Sequence, residues 1–463
     1  MVVKVKEETE PTAVDRTPDG LPPLPPGEGW GEGIKKNLST LTTMEFTTTL
    51  YLFPQTAPNH SGLLLTKQLL NHYRTPKALR MPTPDNPFLA LTAPGLSGLR
   101  PYVPGKPISE LERELGIRDA IKLASNENPL GPGPKARAVA TAATADLGRY
   151  PDGGGFALRR VLADRHGVDP AAITLGNGSN DVLDLVARTF LQPGAESVFS
   201  EHAFAVYPIA TQAVGATARI APARDYGHDL DAMGALVNRH TRVVWIANPN
   251  NPTGTWLPAV PLRAFLASLP ADCIAVVDEA YSEYVQAPDY PDTSTWLDAF
   301  PNLIVTRTFS KVHGLAALRI GYGISDPHIA ELLNRVRQPF NVNTPAQLAA
   351  LAALEDADHV RDSVALNDAG LAQLAAGFDR LGLSYIPSVG NFITVALGRP
   401  AKPVDQDLLR AGCIARRLAN YGLPNHLRVS VGLAAENARL LAALASVLDK
   451  FDHYGLKDHS PED

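Results

Sequence analysis

A lysine that follows two hydroxyl side chains and precedes an arginine is the most reactive arrangement in the chain. Lys311 comes after the apolar segment 303–306, with Thr308 and Ser310 between them, and Arg319 lies eight residues further on. A lysine amine attacks carbonyl groups when its surroundings lower its pKa, and hydroxyl groups with an arginine bind phosphate. Together these abilities suit pyridoxal 5'-phosphate, an aldehyde that carries a phosphate. We predict that Lys311 forms the Schiff base with this cofactor. Thr308, Ser310 and Arg319 are predicted to bind its phosphate, although the same residues in isolation are also typical of an ordinary turn.

Two further apolar segments end abruptly in polar residues, as expected where parallel strands build a site. Residues 243–247 lead to Asn251, and residues 274–277 lead to Asp278 and Tyr281. A carboxylate at Asp278 would keep the cofactor's pyridine nitrogen protonated, which lets the ring draw electrons from a substrate. Asn251 and Tyr281 would hydrogen-bond the 3'-oxygen of the ring. The alternative role for Asp278 is to cap the N-terminus of a following helix.

Three other positions are weaker candidates when taken alone. The turn at residues 176–180 opens a helix, and free amides there could bind an anion or could form a plain strand–helix turn. Phe204 could lay its ring over a cofactor or simply pack in a core. In the segment 427–431, a period of two places Arg428 on the face opposite the apolar residues. That arginine suits an anionic substrate group, with a surface ion pair as the alternative.

The order of apolar segments predicts an α/β protein with a mostly parallel central sheet in a large domain and a smaller α+β domain at the C-terminal end. Residues 1–92 hold 12 of the 40 prolines and are predicted to form a disordered extension. The predicted divisions that follow are an N-terminal arm with part of the small domain at 93–148, the large cofactor-binding domain at 149–343, the small domain at 344–455 and a tail at 456–463.

Composition excludes several classes of protein. With 45% hydrophobic and 19% charged residues, the 463-residue chain is close to the globular average, and its net charge of −6 gives no basic field for nucleic acid. No apolar run has membrane-spanning length, and no secretory signal is recognisable. Cys273 and Cys413 are far apart in sequence and resemble neither a disulfide framework nor a metal site. A cytoplasmic enzyme without a metal is the prediction.

Seven ordered motifs together carry a resemblance to a known family. They are Asn-Glu-Asn-Pro at 126–129, Arg-Tyr-Pro-Asp at 149–152, Gly-Asn-Gly-Ser-Asn-Asp at 176–181, Asn-Pro-Asn-Asn-Pro-Thr-Gly at 248–254, Asp-Glu-Ala-Tyr at 278–281, Thr-x-Ser-Lys at 308–311 with Arg319, and Leu-Arg-Val-Ser-Val-Gly at 427–432. From about residue 93 to 452 the chain resembles the fold type I pyridoxal-phosphate-dependent aminotransferases, and among them the histidinol-phosphate aminotransferase family.

The resemblance implies roles for a larger set of residues. Lys311, Asp278 and Tyr281 are the implied catalytic residues, and Phe204 is implied to stack on the ring. A homodimer is implied as well, in which Tyr150 reaches the cofactor phosphate of the neighbouring subunit. The implied cofactor-binding set is Tyr150, Ser179, Asn180, Phe204, Asn251, Asp278, Tyr281, Thr308, Ser310, Lys311 and Arg319.

The implied reaction converts L-histidinol phosphate and 2-oxoglutarate to imidazole acetol phosphate and L-glutamate. Arg428 and Arg416 are the implied ligands for the substrate phosphate, and Asn128 is a further substrate-binding candidate. A threonine-phosphate decarboxylase or an aromatic amino-acid aminotransferase would use the same cofactor set. A non-catalytic regulator would need a DNA-binding module, and residues 1–92 carry no basic excess for one.

Overall fold

The computed structural model describes residues 86–454. Most of the predicted N-terminal extension and all of the predicted tail lie outside this range; of the extension, residues 86–92 are described and include a short 3-10 turn at Leu89–Leu91. The helices are α1 (Ile108–Leu115), α2 (Pro134–Ala143), α3 (Phe156–His166), α4 (Ser179–Phe190), α5 (Val206–Ala213), α6 (Leu230–Leu236), α7 (Ala259–Ser268), α8 (Pro327–Val336), α9 (Thr344–Leu354), α10 (Ala357–Arg380), α11 (Ala401–Arg410) and α12 (Ala434–Tyr454).

Fifteen strands in the described range form two main sheets and two short pairs. They are β1 (Ile121–Lys122), β2 (Ile173–Gly176), β3 (Glu196–Ser200), β4 (Thr217–Ala221), β5 (Ala223–Arg224), β6 (Gly227–His228), β7 (Thr241–Ala247), β8 (Ile274–Asp278), β9 (Leu303–Thr308), β10 (Gly321–Ser325), β11 (Tyr385–Ile386), β12 (Phe392–Ala396), β13 (Cys413–Ile414), β14 (Arg416–Leu418) and β15 (Leu423–Ser430).

The central sheet has the order β2-β10-β9-β8-β7-β3-β4, and only β10 runs antiparallel to its neighbours. Its three central strands carry continuous apolar runs at residues 243–247, 274–277 and 303–305, because helices cover both faces of the sheet. Trp245 of β7 packs on one side with residues of α4, α5 and α8, whereas Val244 packs on the other with residues of α6 and α7. The predicted α/β class with a mostly parallel sheet is confirmed.

Strands β7, β8 and β9 end at the same edge of this sheet. The register pairs Ala247 with Asp278 and Asp278 with Thr306. Because parallel neighbours share one direction, the polar segments that follow the three strands must lie side by side. This edge therefore collects the residues around Asn251, Asp278 and Lys311.

The smaller unit is a four-stranded antiparallel sheet in the order β11-β12-β15-β14, covered by α10, α11 and α12. Leu427 and Val429 of β15 are buried in its core, as the period of two predicts, and Arg428 lies on the opposite face. Strand β1 pairs in parallel with β13, so the segment before the large domain is tied to this smaller unit. The α+β character of the smaller unit agrees with the prediction.

Helices α2 and α9 pack against each other and against α3 in the core of the large unit. Ala136 of α2, Leu158 of α3 and Ala346 of α9 belong to one buried cluster. The predicted boundaries before residue 149 and after residue 343 thus fall within this packing unit. The apolar residues of α9 pack in the core of the large domain, and α10 is the first helix after it that packs on the small sheet.

No helix in residues 86–454 is long and apolar enough to cross a membrane.

A buried ion-pair network holds the ends of β8 and β9 together on the face away from Asp278. Glu279 is fully buried and accepts hydrogen bonds from Arg307 Nε at 3.0 Å and Nη2 at 2.7 Å. Asp292 accepts a further one from Arg307 Nη2 at 2.6 Å. Removing one member of such a network leaves the other charge buried and unpaired, which costs about 3–5 kcal/mol.

We predict that Arg307→Met lowers the free energy of unfolding by about 3–5 kcal/mol, because Glu279 then keeps a charge without a cation. Urea unfolding followed by circular dichroism measures the change. Arg335→Met is the matched control, since Arg335 pairs with Glu331 on an exposed helix face and its loss should change the unfolding midpoint little. Equal midpoints for the two variants would contradict the role given to the buried network.

Candidate active site

A cleft of about 290 Å³ opens at the carboxyl ends of β7, β8 and β9, with Arg428 of β15 in its wall. The structure brings most of the predicted site residues together there. Those lining the cleft are Ser179, Asn180, Phe204, Asn251, Asp278, Tyr281, Thr308, Ser310, Lys311, Arg319 and Arg428.

Lys311 lies in the cleft with its amine poorly solvated. Its Nζ donates a hydrogen bond to the Ser125 carbonyl at 3.3 Å and lies 5.4 Å from the centre of the Tyr281 ring. Burial first, and then the positive charge of Arg428, lower the pKa of Lys311 to about 8. A substantial fraction of the amine is therefore neutral near pH 8, which is the form that attacks a carbonyl.

Asp278 ends β8 at the base of the cleft and is 5% exposed. Burial raises its pKa to about 6, although hydrogen bonds from Thr306 and Tyr207 act in the opposite direction. Thr306 Oγ1 donates to Oδ1 at 2.9 Å and Tyr207 OH donates to Oδ2 at 3.1 Å. These two donors fix the carboxylate in one orientation, and the residues described offer it no cationic partner.

Tyr207 is a site residue that the sequence did not reveal. It lies in α5 and stacks on Trp245 with 5.3 Å between ring centres. Its apolar surroundings are typical of a core tyrosine, and only the folded structure brings its hydroxyl to Asp278.

An anion cradle forms where α4 begins. Gly178 has a φ of 84° just before the helix, and a Cβ on it would lie 2.3 Å from Arg319 Nη2. A Cβ on Gly321 would lie 2.4 Å from the Ser179 amide nitrogen. Both glycines are thus needed for the guanidinium and strand β10 to approach the helix N-terminus, where the first amides have no intrahelical acceptor.

The hydroxyl side of this cradle is a short turn after β9. Thr308 and Ser310 are both buried, and the Ser310 amide donates to Thr308 Oγ1 at 3.1 Å. Arg319 Nη1 approaches Ser310 Oγ at 3.5 Å. Hydroxyls, helix amides and a guanidinium therefore converge as the donors that a phosphate requires.

The opposite wall is built where the small sheet meets the loops after β7 and β8 and the segment after β1. Arg428 Nη1 donates to Asn251 Oδ1 at 2.5 Å, and Arg428 Nη2 donates to the Ala124 carbonyl at 2.7 Å. Asn126 Nδ2 donates to Tyr281 OH at 2.9 Å. Asn251 and Tyr281 are thereby held at fixed positions beside the cleft. Phe204 is half-buried on the same cleft and packs edge-on to Tyr207 at 5.9 Å.

Arg428 is a buried cation that contacts no carboxylate among the described residues. It is 5% exposed, its Nε has no hydrogen-bond partner, and its guanidinium lies 5.4 Å from the Phe392 ring centre. Burial lowers its pKa from the ordinary value. A buried charge without a counter-charge is costly, so this position is suited to an anionic ligand.

Arg416 lies directly opposite Arg428 in the β14–β15 register, so the two side chains share a face of the small sheet. Arg416 does not itself line the cleft. Its Nη2 donates to the Val103 carbonyl at 2.7 Å, and its guanidinium lies 5.5 Å from the ring centre of Tyr102, which does line the cleft. The neighbouring Arg417 is on the other face and pairs with Asp405 at 3.2 Å.

Besides Arg416, two further predicted residues are not brought into the cleft. Asn128 Nδ2 donates to the Val312 carbonyl at 2.8 Å and to Ser363 Oγ at 2.9 Å, so its side chain anchors the loop behind Lys311. Asn126, the first residue of the same Asn-Glu-Asn-Pro motif, lines the cleft instead of Asn128. Tyr150 is 81% exposed and stacks on Phe340 at 4.7 Å, outside the cleft of its own chain.

Glu127 also lines the cleft, and Tyr102 is a lining residue that sequence reasoning missed. Tyr102 belongs to a segment without periodicity, and no local signal marks it. Glu127 lies within the Asn-Glu-Asn-Pro motif, whose polar character did signal a site.

The donor set fits pyridoxal 5'-phosphate. Its phosphate matches the cradle around Ser179 and Arg319, its aldehyde matches the amine of Lys311, and its basic ring nitrogen matches the uncompensated carboxylate of Asp278. Each of the three groups finds the complementary charge or nucleophile in one cleft.

Comparisons with known proteins agree with this assignment. The profile of the family described as "Aminotransferase class I and II" matches residues 118–444. A histidinol-phosphate aminotransferase 2 of Pseudomonas fluorescens is 61% identical over 363 residues, which cover 78% of this chain and 98% of that protein. One from Methylococcus capsulatus is 59% identical, with 77% and 98% covered.

A solved structure gives the same result. The crystal structure of histidinol-phosphate aminotransferase from Sinorhizobium meliloti, in complex with pyridoxal-5'-phosphate, has a TM-score of 0.71 and 31% identity, covering 75% of this chain and 96% of that one. The resemblance drawn from the seven motifs is confirmed. The chain therefore belongs to the aminotransferase class I and II family and, within it, to the histidinol-phosphate aminotransferases.

Proposed function

We propose that this protein transfers the amino group of L-histidinol phosphate to 2-oxoglutarate, giving imidazole acetol phosphate and L-glutamate. The class of enzyme follows from the family: it is a pyridoxal-phosphate-dependent aminotransferase. The choice of this substrate rests on one observation: Arg416 lies opposite Arg428 on one face of the small sheet. Like charges placed opposite each other are unfavourable, and a dianionic phosphate is a ligand that compensates both.

The roles we propose follow from the contacts in the cleft. Ser179, Asn180, Thr308, Ser310 and Arg319 would hold the cofactor phosphate, Phe204 would cover the ring, and Asn251 and Tyr281 would hold its 3'-oxygen. When bound, the cofactor supplies an electron sink for negative charge at the substrate Cα. Asp278, oriented by Thr306 and Tyr207, would hold the protonated ring nitrogen.

Lys311 would remove the proton from the substrate Cα through Nζ. A pKa of about 8 keeps part of this amine neutral, so it can take a proton near physiological pH. Arg428 would bind the substrate's anionic group, with Asn251 and the Ala124 carbonyl fixing the guanidinium. The same arginine would receive the glutamate side-chain carboxylate in the other half-reaction.

We further propose a homodimer in the cytoplasm. Tyr150 and Phe340, whose rings stack, are exposed to 81% and 45%, and Phe156 is exposed to 71%; exposed aromatic rings of this kind suit cover by a second copy. Tyr150 would then contact the phosphate bound by the partner chain.

A reducing compartment agrees with the free, buried thiols of Cys273 and Cys413.

We predict that Lys311→Ala abolishes glutamate formation from histidinol phosphate and 2-oxoglutarate, because the cleft then lacks its nucleophile and base. The purified variant should also lose the visible absorbance of a lysine-bound cofactor. The control is Lys135→Ala, whose exposed amine contacts the Glu355 carbonyl and should affect neither property. Turnover like that of the wild type in Lys311→Ala would refute the assignment.

We predict that Arg416→Ala slows the half-reaction with histidinol phosphate about tenfold more than the half-reaction with glutamate, because Arg428 alone can satisfy a carboxylate. Arg428→Ala should slow both by about 30-fold or more, since it removes a buried charge-assisted contact. Single-turnover rates with each amino donor measure the effects. Arg417→Ala is the matched control and should alter neither rate. Equal losses for the two donors in Arg416→Ala would favour an aromatic aminotransferase instead.

We predict that the protein sediments at twice the mass of one chain and that Tyr150→Phe weakens cofactor binding about 10-fold or more without dissociating the dimer. The physical reason is the loss of one hydrogen bond to a charged phosphate. Equilibrium dialysis against the cofactor gives the affinity, and sedimentation equilibrium gives the mass. Tyr385→Phe, on β11, is the control. A monomeric wild type that binds the cofactor tightly would contradict the shared site.

A further inference from the structure

Glu127 places a carboxylate in the wall of the active-site cleft, where none of the roles proposed above uses it. Its side chain is 45% exposed, and Oε1 accepts a hydrogen bond from Lys122 Nζ at 2.7 Å. Glu127 lines the cleft together with Ser125, whose carbonyl accepts the hydrogen bond of Lys311. The carboxylate therefore stands on the segment that borders the reacting amine.

The residues on both sides of Glu127 are fixed by side-chain hydrogen bonds. Asn126 has a φ of 54°, its amide donates to Ser430 Oγ at 2.7 Å, and its carbonyl accepts from Asn391 Nδ2 at 2.9 Å. Asn128 is anchored to the Val312 carbonyl and to Ser363. A carboxylate held between two anchored neighbours is presented at a defined place, which is what recognition of a substrate group requires.

The charges around the cleft leave one group of the substrate without a partner. Lys311, Arg319 and Arg428 are the lining cations, and all suit anionic or carbonyl groups. Asp278 is occupied by its two donors at the base. Among the residues that line the cleft in the described structure, Glu127 is the remaining carboxylate, and an imidazole ring, which donates N–H bonds and is partly cationic near neutral pH, calls for an acceptor of this kind.

We propose that Glu127 is the specificity-determining residue for the imidazole arm of the substrate, accepting a hydrogen bond from a ring N–H. The proposal rests on the proposed function, since it presumes histidinol phosphate as the amino donor. Arg428 and Arg416 bind the phosphate group on one side of the substrate Cα, and Glu127 binds the imidazole ring on the other side. Lys122 pairs with Oε1 and leaves Oε2 for the ligand.

The alternative is that the Lys122–Glu127 pair only stabilises the loop. Both side chains are partly exposed, and an ion pair of this type contributes little to stability. The two roles differ in their consequences. A structural pair is lost equally when either member is removed, whereas recognition is lost only when the carboxylate is removed.

The test compares two ligands that lack an amino group and therefore only bind. They are 3-(imidazol-4-yl)propyl phosphate and 3-phenylpropyl phosphate, titrated calorimetrically into the cofactor-loaded wild type, Glu127→Gln, Glu127→Asp and Lys122→Met. The wild type should prefer the imidazole ligand about tenfold or more, as expected for a hydrogen bond to a charged acceptor. Glu127→Gln should lose the preference, Glu127→Asp should regain part of it, and Lys122→Met should retain it within about threefold.

Kinetics give an independent measurement. In Glu127→Gln the KM for histidinol phosphate should rise about tenfold with a smaller change in kcat, while the half-reaction with glutamate is unchanged, because glutamate has no ring to recognise. A Glu127→Gln protein that keeps its preference for the imidazole ligand, or a Lys122→Met protein that loses it to the same extent as Glu127→Gln, would overturn the inference alone. A wild type that binds neither phosphate and does not convert histidinol phosphate would overturn the proposed function.

Discussion

The burial of Arg428 is the constraint on which the site depends. A guanidinium removed from water needs acceptors for its N–H groups and a counter-charge for its positive charge. The protein supplies the acceptors through Asn251 and the Ala124 carbonyl, but the described residues supply no carboxylate. The two contacts draw together a loop of the large domain, a segment near the N-terminal side and a strand of the small sheet. An anionic substrate completes this arrangement, so binding energy is available from a group that is fixed beforehand.

Burial acts on Lys311 and Asp278 in the same sense. Burial, together with the charge of Arg428, lowers the pKa of the amine to about 8, and burial raises the pKa of the carboxyl to about 6, so each equilibrium shifts toward the neutral form. Neither group has a strong ionic partner that would restore its ordinary value. A ligand that brings a carbonyl to the first and a basic nitrogen to the second uses both groups as they stand.

Much of the fold and of the site follows from local patterns. The apolar segments that end at Asn251, Asp278 and Lys311 predict strands whose ends meet, and a period of two is enough to separate Arg428 from the core face of β15. Other contacts depend on tertiary packing that leaves no trace in local sequence. In the sequence, Tyr207 is typical of a core residue. Which of Asn126 and Asn128 lines the cleft depends on the left-handed backbone at Asn126, with which its side chain contacts Tyr281 while that of Asn128 contacts Ser363. The domain divisions follow composition in part only, because α9 looks like the helices of the small domain and packs in the large one.

The pairing of β1 with β13 has a consequence for the order of events during synthesis. Ile121 and Lys122 leave the ribosome before the central sheet, yet their partners Cys413 and Ile414 emerge only after all of its strands. The central sheet can assemble from strands that are already present, whereas the wall that carries Asn126 and Glu127 stays without its support until the last strands arrive. Contacts of such large sequence separation form late because loop closure is costly. A nascent chain thus carries the residues of the cofactor cradle before the strand that supports its substrate pocket has been made.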